Sequence, residues 1–329
     1  IENDETLTIA TSFYALQFAL EQIVGDGGVV INIGEGVDPH DFDPTTQDIL
    51  ALQTADLVVL QGADFEPWGD DVKAQLEADG VPVVLATADI ELHEGGHDHD
   101  DHDHEEESHD DHNDHEHEDK GQDEQSLEED HDHESHDHEG EEPEQEPEAE
   151  EHDDHAHNHD HGAYDPHTWL DPVLFSQMAE HITEEIVAID PQKAETYQAN
   201  LAGLQAELAT LDQAYQTRLS DCVLDEVITS HDAFGYVAER YNFTVHAIAG
   251  LSTQDTPSAT TLAELSAEAE EGIGAILLEE NSITAYGETL ARETGLETLS
   301  ISPIAYLIPE GDNYLTLMRD AVRGAFRGT

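Results

Sequence analysis

The sequence has very little positive charge. Nine lysines and arginines stand against 79 aspartates and glutamates in 329 residues, for a net charge of −70. Phosphate backbones are held by Lys and Arg, so nucleic acid is excluded as a partner. Cysteine is nearly absent as well. Cys222 stands alone, so neither an internal disulfide nor a thiolate zinc cluster can form. No apolar run is long enough to cross a bilayer. The chain shows no signal peptide, but it starts at Ile1 rather than methionine, as a processed or trimmed product would, so the missing leader does not argue for the cytoplasm.

The acid that is present falls into two parts. Between positions 93 and 163 there are 33 acidic residues and one lysine, a net −32, which leaves −38 for the remainder. The folded part is therefore also acid-rich. Such a surface attracts cations and suits solubility in high salt, where screening relieves self-repulsion, and this points to a halophilic source. The stretch from His93 to His161 carries 18 histidines, no aromatic residue and almost no aliphatic ones. It cannot bury enough apolar surface to offset chain entropy and is predicted to be disordered. Acid runs alone would fit a solvating linker. The repeated His-Asp-His and His-Asp-Asp-His pattern fits weak, multivalent metal capture better.

Outside that tract, apolar runs and helical periodicities alternate. Residues 6–12, 29–33, 55–60 and 81–86 read as buried strands, with helices near 13–24, 45–53 and 66–78. After the tract, 173–187 reads as an amphipathic helix. Asp190 and Pro191 then supply a cap and first-turn proline for a helix over 191–219, about 43 Å long at about 1.5 Å per residue. That length marks a stiff connector with one buried stripe. Strands at 225–230, 243–249, 274–278 and 296–301 follow, with helices over 257–271 and 313–326. The expected fold is α/β, with two Rossmann-like lobes around central parallel sheets joined by the long rigid helix. The expected boundaries are 1–190 for the first lobe, 191–219 for the connector and 220–329 for the second lobe.

Three histidines sit on loops at strand ends or lobe edges. His40 lies in Val37-Asp38-Pro39-His40-Asp41-Phe42-Asp43-Pro44, His167 between the turns Asp165-Pro166 and Asp171-Pro172, and His231 directly after a strand. Prolines restrict the backbone around the first two, which lowers the entropy lost on ligation. Ligands in open α/β sheets bind at the carboxyl ends of strands, so these loops are placed to meet in one cleft. Three imidazoles suit Zn²⁺, with a carboxylate or water in the fourth position. The neighbouring Asp41, Asp165 and Asp232 are candidates to orient the rings. Each histidine alone is an ordinary loop residue; the argument rests on the three together. His181, within a helix, and His246, within a strand, read as packed or surface residues.

At these residues the chain resembles the metal-specific solute-binding proteins of ABC importers, in particular the zinc-uptake branch. The resemblance is carried by the His40 and His167 motifs, by His231-Asp232-Ala233-Phe234-Gly235-Tyr236, by Ile248-Ala249-Gly250-Leu251-Ser252 and by the long connector. It implies two lobes with metal between them, a His-rich loop in the first lobe, and delivery of the ion to a membrane permease. His40, His167 and His231 match three ligand positions. Manganese-type members commonly carry a carboxylate at the third, so a nitrogen there favours zinc. The family often places an aspartate after the last strand, where this chain has Ser302. The fourth ligand is thus open between water, Glu279 and a histidine of the tract.

The expected function is an extracytoplasmic, monomeric zinc receptor at the cell surface, anchored through a missing N-terminal segment and partnered by an ABC permease. Competing readings are a manganese-type receptor, a metal buffer or adhesion protein without a transport role, and a zinc hydrolase. The last would need a placed general base, and the sequence has neither a His-Glu-x-x-His helix nor a nucleophile elbow.

Overall fold

The computed structural model describes residues 6–95, 164–220, 226–253, 255–279 and 284–324. Strand β1 (Leu7–Thr11) enters α1 (Tyr14–Val24), β2 (Gly28–Asn32), α2 (Thr46–Gln53), β3 (Leu57–Leu60), α3 (Gly69–Asp79) and β4 (Val83–Leu85). The four strands form one parallel sheet in the order β2-β1-β3-β4. Helix α2 starts at a reciprocal capping box between Thr45 and Asp48. The described part of the tract's flanks is Leu92–Gly95 on one side and Tyr164 on the other. Of the expected disordered stretch 93–161, residues 96–161 lie outside the described residues. His93, expected to belong to it, does not: it is packed on the folded body, as described below.

After a single 3₁₀ turn at Thr168–Leu170 come α4 (Pro172–Ile189) and α5 (Ala194–Leu219). Asp171 caps α4, accepting from the amides of Val173 and Leu174. Asp190 does not cap the long helix as the sequence suggested. Pro191–Lys193 forms a separate 3₁₀ turn, and the Asp190 carboxylate instead accepts from the Tyr197 hydroxyl at 2.8 Å. Helix α5 buries Tyr197, Leu204, Leu208, Leu211 and Tyr215 along one stripe, as the spacing predicted.

The second lobe contains β5 (Glu226–Thr229), α6 (Gly235–Tyr241), β6 (Thr244–Ala247), α7 (Ala259–Glu271), β7 (Ile276–Glu279), α8 (Thr284–Thr294), β8 (Thr298–Ile301) and α9 (Tyr314–Gly324). Its sheet is again parallel, ordered β6-β5-β7-β8. Both sheets thus reverse their winding direction once, between β1 and β3 and between β5 and β7, and a crevice at the strands' carboxyl ends follows from each reversal. The largest apolar cluster runs without a break from Ile9, Phe13 and Leu20 through Phe175, Leu208 and Tyr215 to Tyr314 and Met318, so the lobes share one core. Smaller clusters cover the outer faces of the two sheets.

Candidate metal centre

Each of the three histidines is placed by a different device. His40 lies in the turn-rich loop after β2, where its amide donates to Asp38 Oδ1 at 3.1 Å. Gly34 makes that turn possible: a Cβ there would sit 2.2 Å from the Ser12 carbonyl oxygen, so only glycine allows the loop to leave the sheet so close to β1. His231 follows β5 at the reversal point of the second sheet. Glu279, the last residue of β7, lies next to it there, its Oε1 2.6 Å from His231 Nδ1.

His167 is seated by residues that the sequence did not single out. Gln61, just after β3, donates from Nε2 to the Pro166 carbonyl at 2.6 Å and to Thr168 Oγ1 at 2.9 Å. The buried Glu66 carboxylate in turn accepts from Ser12 Oγ at 2.5 Å and from the amides of Gln61 and Gly62. Burial, the largest influence, raises the Glu66 pKa against these hydrogen bonds, which lower it. Behind the His167 ring stand Trp169, Phe13 and Phe65, with mutual centroid distances of 4.8–5.0 Å. The Trp169 indole nitrogen crosses to the second lobe and donates to the Pro303 carbonyl at 2.8 Å.

The rings converge. His40 and His167 bring their Nε2 atoms to 3.4 Å, and one ligand nitrogen from each of the three lies within 4.8 Å of the other two. Tetrahedral nitrogens about 2.1 Å from a zinc ion stand about 3.4 Å apart, the spacing of the His40 and His167 Nε2 atoms. His167 and His231 are each 1% exposed, whereas His40 is half-buried on the solvent side. The surrounding cavity measures about 290 Å³ including its open mouth, at the lower end for an organic ligand.

The ring orientations are fixed from behind. Asp165 Oδ1 lies 2.8 Å from His167 Nδ1 and also accepts the His167 amide, so the expected role of Asp165 matches the geometry. On His231 that place is taken by Glu279 and not by Asp232, whose amide donates to Gly250. Asp41 follows Asp38 in a turn, its amide donating to the Asp38 carbonyl, and Asp38 Oδ1 accepts the His40 amide. Burial is the strongest single influence on His231 and pulls its pKa down, but Glu279, with Asp38 and Asp232 behind it, outweighs burial and leaves it raised. Asp38 is raised by burial, against hydrogen bonds from the His40 amide and Thr253. The Thr253 hydroxyl reaches Asp38 Oδ2 at 2.9 Å, so Asp38 joins both lobes at the cavity mouth, which Tyr306 also lines.

Among the described residues, His181 and His246 lie apart from the cluster. His181 pairs with Asp89 at 3.1 Å, and His246 lies between Glu226 and Glu268, at 3.1 and 3.0 Å. Ser302, at the position where an aspartate was looked for, points its hydroxyl at the Ile304 amide at 3.1 Å, and the cavity wall is made by Pro303, Ala305 and Tyr306 instead. Ile304 is held at φ +54, a left-handed conformation that a β-branched residue rarely adopts. It is fixed by the Ser302 hydroxyl and by bonds to the carbonyls on either side, from Trp169 and from the Tyr14 amide.

Residues 9–324 match the family described as zinc-uptake complex component A, periplasmic. The chain belongs to this family. It is 31% identical over 321 residues to the zinc-binding lipoprotein AdcA of Streptococcus pneumoniae, covering 96% of this chain and 54% of that protein. It is 33% identical over 321 residues to the high-affinity zinc uptake system protein ZnuA of Bacillus subtilis, covering 96% of this chain and 85% of that one. The chain thus spans about half the length of the AdcA relatives it matches. Among solved structures, the Zn(II)-bound ZnuA-like domain of Streptococcus pneumoniae AdcA superposes with a TM-score of 0.68 at 28% identity, covering 97% of both chains. The two-lobed α/β fold expected from the sequence is therefore the fold of the family. Among the described residues no helix is long and apolar enough to cross a membrane.

Proposed function

We propose that this chain is an extracytoplasmic zinc receptor that holds Zn²⁺ between its lobes and hands it to an ABC permease. One observation carries the reading. Three imidazoles from three separate loops bring one ligand nitrogen each to within 4.8 Å of the other two, two of the rings buried and each of those two backed by a carboxylate. The zinc-binding and zinc-uptake names of its relatives agree with it. His40, His167 and His231 are the protein ligands. Glu279, the fourth candidate raised from the sequence, acts behind His231 as its hydrogen-bond partner, and water completes the coordination at the mouth beside Asp38. Nitrogen in all three protein positions favours zinc over manganese. Residues 1–190, 191–219 and 220–329 serve as metal-binding lobe, connector and second lobe, and the acidic, His-rich tract supplies auxiliary capture.

Calorimetry decides. The chain is expected to take up one zinc tightly, with weaker binding from the tract, and replacing 96–163 by a short linker should remove only the weak phase. Structural zinc sites gain about 10–16 kcal/mol over four ligands, so losing one imidazole should cost about 10²–10³-fold. His231→Ala at unchanged affinity would remove that residue from the site, and loss of all tight binding with the tract would favour a buffer.

A further inference from the structure

The two chain ends that flank the acidic tract meet beside the metal centre. The Asp165 amide donates to the His93 carbonyl at 3.0 Å, and Glu94 and Tyr164 form an isolated antiparallel bridge. This short stem belongs to the first lobe but is fastened to α6 of the second. Tyr236 accepts the His93 amide at its hydroxyl (3.1 Å) and donates that hydroxyl to the Asp165 carbonyl at 2.7 Å. The His93 ring lies flat against the Tyr236 ring at 4.1 Å, and its Nε2 reaches Glu239 at 2.5 Å. The residue so fastened is Asp165, whose carboxylate takes both the ring and the amide of His167.

We infer that Tyr236 is a positioning residue: it keeps the ends of the 68-residue insertion 96–163 closed, and through Asp165 it keeps His167 aimed at the metal. The inference rests on the zinc reading above, and it explains why a hydroxyl is needed there. The insertion is 68 residues long. Closing such a loop grows harder with length to the power 3/2, so a stem carrying 68 residues is disfavoured about fortyfold relative to one carrying about six. Two hydrogen bonds at one hydroxyl, each worth about threefold to tenfold, are of the size needed to offset that difference. Tyr236 therefore matters because the insertion is long, and its hydroxyl becomes redundant when the insertion is short.

The test is Tyr236→Phe, which keeps the ring under His93, made in the full chain and in a chain with 96–163 replaced by about six Gly and Ser residues. Zinc dissociation into excess chelator should be about tenfold faster for Tyr236→Phe in the full chain and changed less than twofold in the short-linker chain. In the metal-free proteins, solvent exchange of the His167 Nδ1 proton, read by nitrogen-labelled histidine NMR, should follow the same pattern. That readout judges the positioning role even if zinc fails to bind, which would instead sink the receptor reading. An equal effect of the substitution in both backgrounds, or none in either, overturns the inference.

Discussion

Replacing Glu279 by glutamine would separate proton competition from metal affinity. The Glu279 and His231 side chains are 1% and 2% exposed, and Oε1 stands 2.6 Å from Nδ1. Glutamine preserves the size and an accepting oxygen but removes the charge. Two effects of opposite sign follow. Burial, no longer outweighed by Glu279, lowers the His231 pKa from its raised position, so protons compete for the ring only at lower pH. The ring also becomes a weaker donor, and losing a carboxylate behind a metal-bound imidazole costs about 10–100-fold in affinity. At about pH 8.5, where protons do not compete in either protein, Glu279→Gln should bind zinc about 10–100-fold more weakly. As pH falls the gap should narrow, because the wild type starts to lose zinc to protons first. The metal-free proteins should show the linked effect on stability. A raised His231 pKa stabilises the fold below the ordinary value of about 6.5, and this contribution disappears as pH rises through the folded-state pKa. The variant should therefore be most destabilised relative to wild type in acid, with the difference shrinking toward alkaline pH. Competition against a fluorescent chelator between about pH 5 and 8.5, with urea unfolding alongside, measures both. An affinity gap that stays constant or widens toward acid would refute the assigned role of the carboxylate. A loss far beyond a hundredfold at alkaline pH would place Glu279 on the ion.

Two further substitutions test the scaffold behind the rings. Gln61→Leu strips donors from the buried Pro166 carbonyl and Thr168 hydroxyl. At about 0.5–1.5 kcal/mol for each of the two hydrogen bonds lost, it should lower the urea-derived stability by about 1–3 kcal/mol and weaken zinc binding with it. Stability within 0.5 kcal/mol of wild type would show that the seat of His167 lies elsewhere. Gly34→Ala would put a methyl carbon 2.2 Å from the Ser12 carbonyl, so the loop carrying His40 must shift. Weakened zinc binding without global unfolding is expected, and wild-type affinity would mean that the loop tolerates the shift.

The strands were legible because a parallel sheet covered on both faces writes itself as short continuous apolar runs, as in Leu57–Leu60. The three histidines were legible because prolines and strand ends mark them. What sequence did not disclose was pairing over long separations. A carboxylate next in sequence, Asp232, looked like the partner of His231, but Glu279 reaches it from 48 residues away across the sheet reversal. Gln61 was not singled out because its work depends on a segment more than 100 residues later. Helices α6 and α8 went unread for a different reason. Each offers few apolar residues, and α8 buries only Gly287 and Leu290, so no helical period stands out. His93 was grouped with its acidic neighbours by composition, whereas its ring is claimed by an aromatic face on the far lobe.

On the reading proposed above, the unbroken apolar cluster from Ile9 to Met318 limits how a bound ion can be released. Swinging the halves apart like a clamshell would wet Phe175, Tyr215 and Tyr314 together and would tear the Trp169 strut from Pro303. On the receptor reading proposed above, release that spares this core would loosen the Asp38–Thr253 contact that bridges the opening. A docking partner that pulls on those few side chains would free the ion and leave the body of the receptor unmoved.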